Sequence, residues 1–163
     1  MTINNNTTTK RSLGREYAFK FIYKHLLSDF SDEKDEIIGD PKALEEALNL
    51  FDRSYNEEDT EHPDNSIDMQ TKVFAKGLIL GSLQHEEENS KLIEKYLTNN
   101  NLQKVDRMNL AVLLLGAYEI LNTDDTSPGV FINEYVNVAK KYCPNDSHGF
   151  VNSVLDKIAK DHK

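Results

Sequence analysis

Leu110-Ala111-Val112-Leu113-Leu114-Leu115-Gly116-Ala117-Tyr118-Glu119-Ile120-Leu121 is the stretch that decides the fold. It is apolar nearly all round, the pattern of a helix packed on every side. Its apolar run falls far below the roughly 20 residues needed to cross a bilayer, so the helix belongs to a protein core and not to a membrane. The neighbouring segments have to cover it. Upstream, Ile67, Gln70, Phe74, Leu78 and Gly81 share one helical face, and the pattern continues through Leu92 and Leu97 as one long helix or two, until Asn99-Asn100-Asn101 breaks it. Downstream, Thr126-Ser127-Pro128 reads as a cap followed by a first-turn proline. Ile132, Tyr135, Val136 and Ala139 face inward behind it, and Pro144 ends that helix. Asp146 or Ser147 then caps a last helix with Phe150, Val151, Val154, Leu155 and Ile158 as its apolar stripe.

The N-terminal third is less regular. Residues 1–9 are Asn/Thr-rich and read as a disordered tail with no secretory leader. A helix is predicted from about Lys10 or Ser12 to Leu27, carried by Leu13, Tyr17, Phe21, Ile22 and Leu26. Residues 28–40 are acidic and read as a loop. Asp40-Pro41 starts a short amphipathic helix with Leu44, Ala47, Leu48 and Phe51, and 54–65 reads as a mobile loop of almost no apolar content. No stretch alternates with the period of a strand. The prediction is an all-α chain of six or seven helices, with one domain over residues 10–163.

The chain has 163 residues and a net charge of -9, but the charge is unevenly placed. Between Asp29 and Asp68 there are 15 acidic and 3 basic residues, a balance of -12, which leaves the rest of the chain at +3. Whole-chain acidity is therefore a poor argument against a nucleic-acid partner. Catalysis finds little support. The five histidines are scattered with no metal-ligand spacing, Cys143 is the only cysteine, and no glycine-rich phosphate loop or nucleophile motif occurs. The many carboxylates of 29–68 sit in flexible sequence without the fixed geometry that acid–base work needs. Neither a metal nor another cofactor is expected.

Two segments stand apart. In Lys10-Arg11-Ser12-Leu13-Gly14-Arg15-Glu16-Tyr17-Ala18-Phe19-Lys20-Phe21-Ile22-Tyr23, basic residues interleave with aromatics, a mixture that grips phosphates and stacks bases. An ordinary polar helix face is the competing reading, because helical spacing puts Arg11 and Arg15 on one side and Lys20 and Lys24 on another. The second segment runs from Val130 to Asp156 and reads as two helices joined by a capped turn. Asn133 and Asn152 lie close to its apolar stripes, where a polar side chain needs a partner.

Together these segments resemble the NusB family of bacterial transcription antitermination factors. Arg11…Arg15-Glu16…Ala18…Tyr23 is similar to that family's arginine-rich opening, Phe74, Leu78 and Gly81 to its F-x-x-x-L-x-x-G, and Ala117-Tyr118-Glu119-Ile120 to its central helix. Ile132-Asn133-Glu134 with Ala139-Lys140, and Asp146-Ser147…Phe150-Val151-Asn152…Val154-Leu155-Asp156, complete the resemblance. Ser12-Leu13-Gly14 stands where the family has adjacent arginines, and Ser153 where it has Gly.

The resemblance implies a NusB-like helical fold of two packed sub-bundles and a non-catalytic cytoplasmic role. That role is recognition of boxA-type single-stranded RNA in ribosomal RNA leader transcripts. It is exercised with the small-subunit ribosomal protein NusE and with RNA polymerase, NusA and NusG. By position, Lys10, Arg11, Arg15 and Tyr23 would serve RNA from the first helix, and Asp146 and Phe150 from the last turn and helix. The alternative is a protein-interaction adaptor or homodimer of the same fold with RNA binding weakened or lost. A third reading, the helical domain that opens some ribosomal-RNA cytosine methyltransferases, lacks the large catalytic domain such enzymes require.

Overall fold

The structure is a computed structural model that describes residues 5–27, 31–58, 67–98, 100–144 and 146–162. Eight α-helices occur among them: α1 (Asn5–Leu27), α2 (Ser31–Gly39), α3 (Pro41–Glu58), α4 (Met69–Gln84), α5 (Glu86–Lys95), α6 (Arg107–Asn122), α7 (Pro128–Tyr142) and α8 (Ser147–His162). A short 3-10 turn, Leu102–Lys104, links α5 to α6. The described residues contain no strand and no helix long and apolar enough to span a membrane.

The central helix is α6. Leu110 to Ala117 and Ile120 are all buried, and α1, α4, α5, α7 and α8 all pack against it. It starts where Asp106 accepts hydrogen bonds from the amides of Met108 (2.8 Å) and Asn109 (3.4 Å), which satisfies two of the donors a helix start leaves open. Close approach to α6 explains Gly81. A Cβ there would overlap the hydroxyl end of the Tyr118 ring, so any larger residue would force that ring to move.

Several expectations need correcting. Among the described residues there are eight helices and not six or seven, because residues 31–39 form α2. Ile37 is only 4% exposed there and Ile38 packs partly buried against the core, so two adjacent apolar side chains pin a helix in sequence too acidic to show a periodic stripe. The helical pattern upstream of α6, expected as one long helix or two, is two helices that meet at His85, as the second alternative has it. Part of the expected tail is helical, since α1 begins at Asn5; residues 1–4 lie outside the described residues. The loop expected over 54–65 is helical through Glu58, and 59–66 lie outside the described residues, including Ser66. The α4 cap is Asp68, which accepts from the Thr71 amide at 2.7 Å. Ser127 sits at the start of α7 without a capping side-chain bond, although Pro128 takes the first turn as expected.

Candidate nucleic-acid interface

The first and seventh helices run side by side in the same direction. Three cross-contacts in register show it: Ser12 Oγ donates to Glu134 Oε2 at 3.0 Å, Lys141 Nζ meets Glu16 Oε1 at 2.8 Å, and Lys20 Nζ lies 5.2 Å from the Tyr142 ring centroid. Residues more than a hundred positions apart therefore form one surface.

At its N-terminal end, Lys10 pairs with Asp68 at 3.0 Å and is solvent-exposed. Arg11 is exposed as well. Its guanidinium carbon lies 5.3 Å from the Phe74 ring centroid, and it makes no ion pair to any described residue. Toward the C-terminal end, Tyr142 is flanked by two cations, Lys20 at 5.2 Å and Lys141 at 5.3 Å from its ring centroid. Phe19 packs against the same ring at 5.3 Å and stacks on half-buried Tyr23 at 6.2 Å. The strip continues into the turn between α7 and α8, where an open hollow of about 430 Å³ is lined by Lys140, Cys143, Asp146 and His148 among others. Asp146 is exposed in a left-handed conformation (φ 66°), and Phe150 is half-buried against the core one turn into α8.

Arg15 does not lie on this surface. It is 4% exposed, with Nε 2.7 Å and Nη2 3.0 Å from the two carboxylate oxygens of Glu119. Its guanidinium lies between the rings of Phe74 (5.3 Å) and Phe131 (5.8 Å), and Glu134 approaches to 3.7 Å. Tyr135 donates its hydroxyl to Glu119 at 2.6 Å, so the carboxylate is satisfied from two helices. Burial works against the Arg15 charge, yet the hydrogen bond and attraction of Glu119 hold its pKa above the ordinary arginine value. Burial, then the Glu119 charge, pushes the Tyr135 hydroxyl well above its ordinary range and keeps it a donor. The expectation that Arg15 reaches phosphates therefore meets a side chain already committed to a carboxylate. The reason is tertiary: position 15 faces α6, while position 11, one turn earlier, passes the end of the cleft between α4 and α7.

Asn133 and Asn152 are exposed, so the expectation that they need protein partners does not hold. The residues that spacing within one helix missed are Lys20, Lys141 and Tyr142. The available signal was the run Lys140-Lys141-Tyr142 at a helix C-terminus, but nothing in the sequence said which helix it lies beside. Burial, helped by the Asp106 charge, pushes the Cys143 thiol up to about 11, which disfavours the thiolate that a nucleophile needs.

The sequence model of the NusB family matches residues 12–160. The chain belongs to the NusB family. Among its relatives, the transcription antitermination protein NusB of Thermodesulfovibrio yellowstonii is 32% identical over 93% of both chains. That of Clostridium tetani is 35% identical over 93% of this chain and 98% of its own. The T. maritima NusB structure superposes with a TM-score of 0.70 at 29% identity, covering 93% of this chain and 92% of that one. A NusB crystallised with NusE and double-stranded RNA has the same fold, with a TM-score of 0.67 at 23% identity over 94% of this chain and 98% of that one. As a NusB-family member the chain is a transcription antitermination factor and not an enzyme.

Proposed function

We propose that the strip along α1 and α7 binds boxA-type single-stranded RNA from ribosomal RNA leader transcripts. In this reading the protein acts in the cytoplasm as a single helical domain, with NusE as co-binder, and joins RNA polymerase with NusA and NusG. The fold reads as two sub-bundles, α1 with α2–α4 and α5 with α6–α8, joined where α1 and α4 meet α6.

The observation that carries the reading is the composite strip itself: an exposed Arg11, without an ion pair to any described residue, at one end and Tyr142 between Lys20 and Lys141 at the other. The cations hold phosphates, and the aromatic rings offer faces to unstacked bases. Lys10, Tyr23, Asp146 and Phe150 border the same strip. Arg15 acts as a positioning residue that fixes α1 on α6 and so sets where Arg11 points. If Arg11, Lys20 and Lys141 each neutralise a phosphate, log affinity falls with log salt at a slope of about -2, and a stacked base adds about 1–3 kcal/mol. Such binding is weak alone and gains from a second protein.

Fluorescence anisotropy with a short boxA RNA, with and without NusE, at two salt concentrations tests this. Weak binding that tightens with NusE and loosens with salt is expected. No binding under any condition, with NusE shown to be folded, overturns it in favour of an adaptor or homodimer. A specific feature favours that second reading. The cleft of about 570 Å³ between α1, α4 and α7 exposes Val73 and Val130 on its rim, an apolar surface suited to a protein partner.

A further inference from the structure

The strip on α1 and α7 carries acids of its own. Lys141 Nζ, on α7, meets Glu16 Oε1, on α1, at 2.8 Å, and at the other end Lys10 meets Asp68 at 3.0 Å. The two carboxylates differ in what else they do. Asp68 also caps α4 through the Thr71 amide, so it has a structural task. Glu16 lies in the middle of α1, caps no helix, and pairs with Lys141. A further acid of the seam, Glu134, serves the interior: it accepts from Ser12 at 3.0 Å and approaches buried Arg15 at 3.7 Å. Glu16 stands instead among the groups read as holding RNA. It precedes Lys20 by one turn, and Lys20 and Lys141 lie 5.2 and 5.3 Å from the Tyr142 ring centroid. The Lys141 side chain is 50% exposed and that of Glu16 only 19%, so the ammonium is the more open partner. The Glu16 hydrogen bond holds the Lys141 pKa above the ordinary lysine value, against a smaller opposing effect of burial.

We propose that Glu16 is an internal competitor for Lys141: in the free protein it takes the place of a phosphate oxygen, and a phosphate group must displace it to reach the ammonium. On the RNA reading above, on which this rests, Glu16 tempers the affinity of the strip. Carboxylate and phosphate offer an ammonium the same kind of charged acceptor oxygen. A partly exposed ion pair contributes little, so a single phosphate contact suffices to replace it. Displacement leaves the Glu16 charge beside the bound phosphate, and the two repel. Glu16 therefore lowers affinity for any phosphate chain without reading its sequence, and selectivity is left to base contacts and to the second protein.

Glu16→Gln keeps the side-chain shape and removes the charge. Fluorescence anisotropy with boxA RNA should show affinity raised roughly two- to fivefold at low salt, with the gain shrinking as salt rises and the melting temperature little changed. Glu87→Gln makes the same change in net charge at an exposed acid of α5 that pairs with Lys91, away from the strip, and should leave affinity at the wild-type level. In a Lys141→Ala background the Glu16→Gln gain should fall, because the ammonium that couples the two is gone. Inorganic tripolyphosphate, which has no bases, is titrated in parallel by amide NMR shifts around Tyr142 and should also bind more tightly to Glu16→Gln. RNA binding absent from every variant, with tripolyphosphate still responding to Glu16, would strike the RNA reading and support the competitor. Tripolyphosphate affinity indifferent to Glu16, an equal gain in Glu87→Gln, an undiminished gain without Lys141, or a joint fall of affinity and melting temperature in Glu16→Gln would each overturn it.

Discussion

Arg11 and Arg15 stand one turn apart on α1 and carry the same side chain, yet they occupy opposite environments. Arg11 lies open to solvent over the Phe74 ring, while Arg15 is closed beneath it, bidentate to Glu119 and flanked by two aromatic rings. The difference teaches that charge on a helix becomes a binding group or a structural bolt according to what packs over it. A buried cation is held only by a carboxylate that is itself satisfied, and that pair is then unavailable to a ligand. An exposed cation contributes little to stability and keeps its donors for phosphates. The two sites should therefore fail in different assays.

The largest effect is expected at the bolt. Glu119→Ala leaves the Arg15 charge buried without its partner and removes the acceptor of Tyr135, at a cost of about 3–5 kcal/mol. Urea denaturation should show this as a large drop in midpoint, and Arg15→Ala should behave likewise. A midpoint unchanged in both would place Arg15 on the surface after all.

Next comes Phe150→Ala. The ring is half-buried against the core, so the loss should be about 1–2 kcal/mol, less than for a fully enclosed aromatic. Full stability with lost RNA affinity would instead make it a base-stacking residue.

Arg11→Ala should leave the melting temperature alone, lower RNA affinity roughly tenfold at low salt, and reduce the salt slope by about 0.7. Lys20→Ala and Lys141→Ala should each reduce the slope by a similar step if α1 and α7 form one strip. A slope that responds to Arg11 but to neither lysine would break the strip in two.

The smallest effect concerns pH. The Thr71 amide and hydroxyl, then the Lys10 ammonium, hold the Asp68 carboxyl down to about 2 from its ordinary 3.8. Its folded-state pKa is depressed, so its stabilisation is present above about pH 4 and fades as pH falls toward 2. Asp68→Asn keeps a capping oxygen but cannot titrate. The melting-temperature gap between wild type and this variant should narrow across that window, and a constant gap would show that the cap does not depend on charge.

Legibility differed from one element to the next. The central helix was plain, since a run apolar on every side has no other stable home than a core. The α3 start at Asp40-Pro41 was equally plain, because the cap and the proline act within one turn, and the Asp40 carboxylate does accept from the Lys42 amide at 3.0 Å. The second helix was hidden because its burial rests on Ile37 with its neighbour Ile38 partly buried, two adjacent residues that cannot show a periodic stripe. At the interface, Lys10 and Arg11 could be singled out from the cluster of charge. The partnership of Lys20 with Tyr142 could not, because it depends on the alignment of two helices far apart in the chain.

The sequence by itself determined the all-helical class, the central position of α6 and membership of the NusB family. All three rest on local periodicity and on residue types at set spacings, which act over a few turns of chain. The tertiary structure alone decided that Arg15 is buried while Arg11 is open, and that α1 and α7 bring Lys20 and Lys141 to the same Tyr142 ring. Those outcomes depend on which helix face meets which, and long-range packing sets that only once the whole core has closed.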